Sequence, residues 1–360
     1  MSELRTSLLP GEGERLTVCQ FMERALYDPA AGYYTRNIRS VGGSSADFAT
    51  SASLDPGFSG ALANWIEHEI TTAGDSLRGA DGKWHLVELG GGAGHLAAGI
   101  QRALGWSGRR RTQYHIVEIS PVLREAQCGT LGRRARKITW HSGIEQALRA
   151  AGGRAIIFSN EFVDAFPATV VQWDAGADAW QEVYLEGRGG GRFAEVLLPL
   201  SAECANASVV FDRARWSSLP LVDGQRCEVS FSWRSWLTNW VPRADAVSLL
   251  TIDYGDTFPE LYRSRRNGTL RAYRQHQRRE GVEVYADAGF QDLTVDVNFT
   301  DLQHWGESAA LETATFETQR EFLDRFGNVS AGREATPVAA FLRDPSGAGE
   351  AFRVLCQRKQ

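Results

Sequence analysis

A glycine-rich turn preceded by a carboxylate is the segment of this sequence whose residue types could do chemistry. Gly90, Gly92 and Gly94 alternate with other residues, and Glu88 lies two positions before them. Similar turns follow the first strand of many nucleotide-binding folds. The dinucleotide fingerprint needs a glycine where this chain has His95, and a P-loop needs a Gly-Lys-Ser/Thr ending that the sequence lacks. The spacing therefore argues against both phosphate-binding turns.

A second carboxylate fits a different cofactor. S-Adenosylmethionine has no pyrophosphate but carries a positive amino group and a sulfonium, so its loop favours a carboxylate such as Glu88. Its ribose hydroxyls need an acceptor from the tip of the neighbouring strand, where Glu118 ends the run Ile116-Val117-Glu118. The two acidic residues and the glycines together predict an S-adenosylmethionine site.

The elements that must position these residues alternate between strand and helix. A helix at His95–Leu104 follows the first predicted strand, and Ser120-Pro121 opens another after the second, with proline in the first helical turn. The predicted strands are His85–Leu89, Gln113–Glu118, Lys137–His141, Ala155–Ser159 and Ala246–Asp253. This alternation is typical of a parallel sheet with helices on both faces.

Other segments lie outside this alternation. Two helices are predicted before the first strand, at Thr17–Tyr27 behind a threonine cap and at Phe58–Thr72. Residues 170–200 alternate apolar and polar residues around glycine turns, which predicts an antiparallel hairpin. Residues 351–356 read as a final strand at the sheet edge.

Composition excludes several classes of protein. A net charge of -5 argues against a nucleic-acid binder, and the arginine runs are read as solvated helix faces. Five scattered cysteines with no Cys-x-x-Cys pair favour a reducing compartment. The sequence has no residue spacing typical of a metal site, so we predict no metal. The N-terminus lacks the apolar run of a signal peptide and no stretch could span a membrane, so we expect a cytoplasmic protein with no membrane contact.

Several segments together resemble one family, the MidA-type methyltransferases, which include a mitochondrial complex I assembly factor that methylates an arginine. The resemblance covers nearly the whole chain. It rests on these segments, in order: Leu26–Pro29 with Gly32–Tyr34, Asp47–Ser51, Val87–Gly94, Val117–Arg124, Asn160–Pro167, Ile252–Gly255, Gly268–Tyr273, Gln291–Thr294 with Val297–Phe299, and Thr318–Gln319 with Glu321–Leu323.

The resemblance implies a class I methyltransferase Rossmann-like α/β fold, with a mostly parallel seven-stranded sheet, an N-terminal helical lid and a β-hairpin insertion. The implied limits are 1–80 for the lid segment, 81–169 and 246–360 for the cofactor-binding core with a substrate-side insertion around 260–330, and 170–245 for the inserted hairpin and helical segment. Three departures from the family pattern bear on the acceptor: Ser51-Ala52-Ser53 replaces Ser-Pro-Glu, Ala93 replaces arginine, and Ser142 replaces aspartate.

Residue roles follow from the same resemblance. The predicted cofactor-binding residues are Glu88, Leu89, Gly90, Gly91, Gly92, Gly94, Glu118, Ile119, His141, Ser142, Asn160 and Thr50. The residues expected to bind substrate are Tyr33, Phe48, Phe162, Tyr254, Arg271 and Tyr273. Tyr33, Tyr34, Asp47, Phe48, Thr50 and Ser51 are expected to form the lid over the cofactor. Packing and surface charge are an equal alternative for Tyr254, Arg271 and Tyr273.

The predicted catalytic residues are Asn160, Glu161 and Asp164, which follow the fourth strand. A guanidinium with a pKa above about 12 is a poor nucleophile until a carboxylate orients it, and the two acids could do that. The alternative is that they cap the next helix.

Three functions stay open at this point. The first is methylation of an arginine in a partner protein, and the second is O- or N-methylation of a small molecule. The third is a non-catalytic assembly factor, against which Glu88, the glycines and Glu118 argue. The oligomeric state is also open, a homodimer included.

Overall fold

The elements are those of an α/β protein with one large mixed sheet. The computed structural model describes residues 7–38, 56–205, 208–211, 221–275, 277–327, 337–344 and 347–360. Its strands are β1 Arg15–Thr17, β2 Trp84–Leu89, β3 Thr112–Val117, β4 Ile138–His141, β5 Arg154–Asn160, β6 Thr169–Asp174, β7 Ala179–Gly189, β8 Arg192–Pro199, β9 Arg226–Val229, β10 Ala246–Asp256, β11 Arg271–Arg274, β12 Gln277–Arg279, β13 Asp292–Thr294, β14 Val297–Asn298, β15 Glu312–Thr318 and β16 Phe352–Lys359. Its helices are α1 Val18–Tyr27, α2 Pro56–Ala73, α3 His95–Ala103, α4 Gly105–Arg111, α5 Pro121–Leu131, α6 Ile144–Ala150, α7 Ala202–Ala205, α8 Phe231–Trp240, α9 Phe299–Ser308, α10 Gln319–Phe326, α11 Pro337–Arg343 and α12 Ala348–Ala351.

The described residues divide into two compact units. The sheet unit draws on residues 39–163, 237–254 and 306–360, and the insertion unit on residues 1–38, 164–236 and 255–305. These limits do not coincide with the predicted boundaries at residues 80, 169 and 246. The segment before β2 is shared, because α1 belongs to the insertion unit and α2 to the sheet unit.

The sheet unit is built on strands in the order β15-β16-β10-β5-β2-β3-β4. β10, β5, β2, β3 and β4 run parallel, as predicted, and β16 and β15 run antiparallel to their neighbours. Apolar residues on one face form a core with α2, α3 and α10. The alternate residues point to the other face, and α6 contacts β3 and β4. A parallel sheet with helices around it is therefore confirmed.

The predicted final strand is present as β16, but its predicted place at the sheet edge is wrong. β16 lies between β10 and β15, and β15 is the edge strand. The sequence of β15, Glu-Thr-Ala-Thr-Phe-Glu-Thr, has few apolar residues and so gives only a weak signal. This composition suits an edge strand, since no strand among the described residues pairs with its outer side. β16 is buried at its centre because it is paired on both sides.

The insertion unit contains an antiparallel sheet ordered β1-β7-β6-β9, with β8 paired to β7. The predicted hairpin in residues 170–200 corresponds to β6, β7 and β8, which continue into this larger sheet. Helix α1 packs beside it and begins at Thr17, whose side chain accepts a hydrogen bond from the Gln20 N–H. A smaller sheet, β12-β11-β13, lies in the same unit.

No helix among the described residues is long and apolar enough to cross a membrane.

Candidate functional site

The glycine loop leaves the carboxyl end of β2 at the point where the chain order of the sheet reverses. From β2 the chain moves to β3 and β4 on one side and then returns to β5 on the other. In open α/β sheets, ligands bind in the crevice at such a switch point. Within the sheet unit, residues 90–94 and Asn160 flank this position.

The loop conformation requires its glycines. Gly90 and Gly94 have φ values of +66° and +85°, a region that side-chain-bearing residues rarely adopt. A Cβ on Gly90 would lie 2.8 Å from Cδ2 of Phe162, and one on Gly91 would lie 2.9 Å from Nε2 of Gln127. The loop therefore lies in close contact with its neighbours, and α3 begins directly after it.

Glu88 is buried beneath the loop. Its side chain is 2% exposed, and Oε2 accepts a 2.7 Å hydrogen bond from the Tyr114 hydroxyl. Burial raises the pKa of Glu88 to about 8, although the bond from Tyr114 opposes the shift. Tyr114 was not among the predicted site residues.

Glu118 follows β3 and is held by two donors. Oε1 accepts from the Ser120 N–H at 2.9 Å, and Oε2 accepts from Nε2 of Gln127 at 3.1 Å. Burial raises the pKa of this carboxyl to about 7, with both hydrogen bonds acting in the opposite direction. Ile119 beside it is 44% exposed. A carboxylate oxygen can accept more than one hydrogen bond, so Glu118 keeps acceptor capacity for hydroxyls.

Gln127 links the loop to this carboxylate and was missed by the sequence reasoning. Its amide donates to the Gly92 carbonyl at 3.0 Å as well as to Glu118, and its oxygen accepts from the Trp140 indole at 2.7 Å. The side chain is fully buried. The sequence signal that could have indicated Gln127 is a glutamine in the helix that directly follows the predicted acceptor Glu118.

His141 is the last residue of β4, and Ser142 follows it. Nε2 of His141 lies 2.9 Å from Nδ1 of His115, and burial lowers the pKa of His141. The backbone N–H and the hydroxyl of Ser142 both lie 3.2 Å from Oε1 of Gln146. Arg124 donates to the carbonyl oxygens of His141 and Glu118, which ties the ends of β3 and β4 together.

The end of β5 carries an unsatisfied acceptor and a strained carboxylate residue. Oδ1 of Asn160 is buried and has no hydrogen-bond partner within the described part of the chain, while its amide donates to Glu161 at 3.0 Å. Glu161 has φ of +53°, an uncommon conformation for a residue with a side chain. Strain of this kind clusters at functional sites.

Asp253 fixes the chain that follows Glu161. Oδ2 of Asp253, which is fully buried, accepts from the N–H groups of Phe162 and Val163, each at 3.1 Å. Neighbouring Tyr254 packs its ring against Phe352 at a centroid distance of 5.6 Å. Asp253 belongs to a motif that carried the resemblance, but the sequence reasoning gave it no role.

The remaining predicted residues lie in the insertion unit or outside the described residues. Asp164 is 7% exposed, and Oδ2 accepts from the Thr294 hydroxyl at 2.8 Å. Arg271 is ion-paired with buried Asp296, and its Nε donates to the Tyr273 hydroxyl at 3.0 Å. Tyr33 is 1% exposed. The predicted roles of Asp164, Arg271, Tyr273 and Tyr33 stay predictions. The predicted residues Asp47, Phe48, Thr50 and Ser51 lie outside the described residues.

The residues of the switch point fit the predicted cofactor. An unpaired buried amide oxygen at Asn160 suits the donor N–H groups of an α-amino group, and buried Glu118 suits ribose hydroxyls. The described residues contain no cluster of His, Cys, Asp and Glu side chains that could hold a metal ion.

The strand order and the glycine loop define a Rossmann-like methyltransferase of class I. The family model for S-adenosyl-L-methionine-dependent methyltransferases matches residues 61–317, and the chain belongs to this family. It is therefore a methyltransferase that uses S-adenosyl-L-methionine.

Relatives and solved structures agree with this assignment. The chain is 27% identical over 343 residues to the mitochondrial protein arginine methyltransferase NDUFAF7 homolog of Caenorhabditis elegans, covering 87% of this chain and 73% of the relative. It is 25% identical over 338 residues to mitochondrial NDUFAF7 of Homo sapiens, covering 87% and 70%. A Burkholderia thailandensis protein crystallised with S-adenosyl-homocysteine has the same fold, with a TM-score of 0.80, 24% identity and coverage of 99% and 92%.

Proposed function

We propose that this methyltransferase transfers the methyl group to an arginine of a partner protein. The observation that carries the proposal is Glu161, a carboxylate held at φ of +53° directly after the switch-point strand β5. The names of the relatives, which are protein arginine methyltransferases, support the same acceptor.

The chemistry places few demands on the protein. The bound cofactor supplies a methyl carbon activated by its sulfonium, and the transfer is an in-line displacement that depends on alignment. Glu161 accepts hydrogen bonds from two N–H groups of the guanidinium and orients a third nitrogen toward that carbon. The new N–C bond forms as the S–C bond breaks, and the nitrogen then loses one proton to solvent.

Other residues of the sheet unit bind the cofactor in this proposal. Oδ1 of Asn160 accepts from the amino group, and Glu118 accepts from the ribose hydroxyls. Glu88 and Gln127 shape the loop from below, because their side chains are buried and bonded within the protein. Asp164 is a positioning residue, since its carboxylate is already bonded to Thr294.

Substitution of Glu161 tests the acceptor. Cell extract incubated with labelled S-adenosylmethionine and purified protein should yield a labelled protein, with the label on arginine by mass spectrometry. Glu161→Gln should lower the rate of labelling about 100-fold or more while affinity for S-adenosyl-homocysteine stays within about threefold. The matched control is Glu125→Gln, an exposed position on α5, which should label at the wild-type rate.

Two results would contradict this proposal. One is a labelled metabolite with no labelled protein, which would favour the small-molecule function. The other is full labelling by Glu161→Gln.

For the cellular location of the protein, we propose only a type of compartment, whereas the sequence predicted the cytoplasm. The relatives are mitochondrial by name, so they do not support a cytoplasmic site. We propose a reducing compartment, because the five cysteines are free thiols and three of them are buried.

A further inference from the structure

Three buried histidines form a hydrogen-bonded chain across β2, β3 and β4. Nδ1 of His85 lies 3.0 Å from Nε2 of His115, and Nδ1 of His115 lies 2.9 Å from Nε2 of His141. The chain ends at Asp81, whose Oδ1 lies 3.2 Å from Nε2 of His85. The histidines are 5%, 3% and 9% exposed, so water does not compete along most of its length.

The histidine chain crosses the sheet diagonally. His85 is the second residue of β2, His115 lies in the middle of β3, and His141 is the last residue of β4. Asp81, with a half-exposed side chain, therefore stands at the amino edge of the sheet, and His141 at the carboxyl edge beside Glu118. A surface carboxylate is linked to the cofactor edge through three rings.

The direction of these bonds follows from Asp81. An ionised carboxylate can only accept, so Nε2 of His85 carries the proton, and in the neutral ring Nδ1 of His85 is an acceptor. Nε2 of His115 must then donate to it, and by the same reasoning Nε2 of His141 donates to His115. Every histidine is thus the Nε2–H tautomer, and Nδ1 of His141 is left as an acceptor.

Burial favours the neutral form of His115 and His141. Burial is the largest single effect on the pKa of Asp81 and raises it, but the bonds from the Lys83 N–H and from His85 together outweigh burial, so the net pKa is lowered. Burial lowers the pKa of His115 to about 4. Burial and the cation of Arg124 lower the pKa of His141. His115 and His141 are therefore neutral at neutral pH, and Asp81 is ionised.

We propose that Asp81 acts through His85 and His115 to make Nδ1 of His141 a fixed hydrogen-bond acceptor for the adenine amino group of the cofactor. Within the described residues this nitrogen has no hydrogen-bond partner. The inference rests on the cofactor placement proposed above.

The order of strands identifies the donor. Along the carboxyl edge, Asn160 on β5, the loop after β2, Glu118 after β3 and His141 on β4 follow one another, over three inter-strand spacings or about 14 Å. In the cofactor the amino group, the ribose and the adenine follow one another in the same order. With the first two taken by Asn160 and Glu118, the adenine amino group is the donor that remains for His141.

Nitrogen-15 NMR of the histidine rings tests the tautomers directly. At pH 7.5 all three histidines of the chain should show a protonated Nε2 and an unprotonated Nδ1 in wild-type protein. A protonated Nδ1 on His141, His115 or His85 would overturn the proposal without any substitution.

Calorimetry with two Asp81 variants tests the consequence at the cofactor edge. Asp81→Ala should bind S-adenosyl-homocysteine about threefold to tenfold more weakly, the loss of one hydrogen bond. Asp81→Asn, which keeps an acceptor for His85 but removes the charge, should stay close to wild type. Equal affinity in wild type and Asp81→Ala would contradict the proposal, as would an equal loss in both variants.

A ligand without the amino group identifies the donor. Wild type should bind S-inosyl-homocysteine about tenfold more weakly than S-adenosyl-homocysteine. In Asp81→Ala the ratio of the two dissociation constants should be smaller. A preference that is unchanged in Asp81→Ala would overturn the role of His141. Binding of S-adenosyl-homocysteine by every variant, together with loss of labelling only in Glu161→Gln, keeps this test separate from that of the proposed function.

Discussion

At the scale of single residues, the site depends on buried carboxyls whose partners are neutral. Glu88 is bonded to a tyrosine, and Glu118 to an amide and a backbone N–H. No cation donates to either carboxyl among the described residues, so burial dominates and both pKa values rise. The sequence predicted both acids at the cofactor edge, but burial and its effect on charge depend on Tyr114 and Gln127, which come from other elements.

These pKa values predict a pH-dependent stability. A carboxyl whose pKa is raised in the folded state binds a proton more tightly there than in the unfolded chain, so stability falls as pH rises. For Glu88 the fall should run from about pH 4.5, the ordinary value, to about pH 8. Glu88→Gln should flatten this dependence in urea unfolding measured at pH 5 and pH 8. If the free energy of unfolding of Glu88→Gln fell as steeply with pH as that of wild type, the prediction would be contradicted. The control is Glu125→Gln, which should keep the wild-type pH dependence.

Removal of the Gln127 amide should cost more than removal of an ordinary surface glutamine. Gln127→Leu removes the bonds to Oε2 of Glu118, the Trp140 indole and the Gly92 carbonyl, and should lower the free energy of unfolding by about 2 to 4 kcal/mol. Gln113→Leu, at a partly exposed position with one 3.3 Å bond to Lys137, should change it by less than about 1 kcal/mol. If urea titrations showed similar losses of unfolding free energy for the two variants, the hydrogen bonds of Gln127 would contribute little to stability.

At the scale of elements, a glycine of the cofactor loop should respond to substitution differently from a glycine in a helix. Gly90→Ala adds a Cβ 2.8 Å from the Phe162 ring at a positive φ, so affinity for S-adenosyl-homocysteine should fall about tenfold or more. Gly129→Ala on α5 places a Cβ in open space, and should bind normally and gain up to about 1 kcal/mol of stability. Normal affinity of Gly90→Ala in calorimetry would contradict the close approach.

The cap of α1 gives a test that is independent of the cofactor. Thr17→Ala removes the hydrogen bond to the Gln20 N–H and should cost about 1 kcal/mol in thermal or urea unfolding. Thr71→Ala, on the exposed side of α2, should be neutral or slightly stabilising because alanine favours helix. A cost for Thr71→Ala as large as that for Thr17→Ala would contradict the capping role.

Elements with strong periodic patterns were predictable from sequence, and those defined by their neighbours were not. The run His85–Leu89 and the Ser120-Pro121 helix start matched β2 and α5 closely. β15 was missed because an edge strand needs few apolar residues, and β1 was missed because its three residues belong to a sheet completed by β7, more than 160 residues later.

At the scale of the whole molecule, the chain splits into two units whose segments alternate along the sequence. The resemblance also implied a discontinuous core, at 81–169 and 246–360. In the structure, residues 164–236 leave the sheet unit after β5 and the chain returns to that unit before β10, while residues 1–38 and 255–305 belong with residues 164–236. The histidine chain could not be predicted from sequence. His115 lies 30 residues after His85, and His141 lies 26 residues after His115, so only the register of the strands brings the three rings together.

Binding of S-adenosylmethionine by the purified chain tests the central claim most directly. Isothermal calorimetry should show one site per chain, with affinity about tenfold or more weaker in Asn160→Ala and in Glu118→Ala, each of which removes an acceptor for the cofactor. Glu125→Gln should bind as wild type does. No heat with the wild-type chain, or unchanged affinity in both Asn160→Ala and Glu118→Ala, would contradict a cofactor site at the switch point of the sheet.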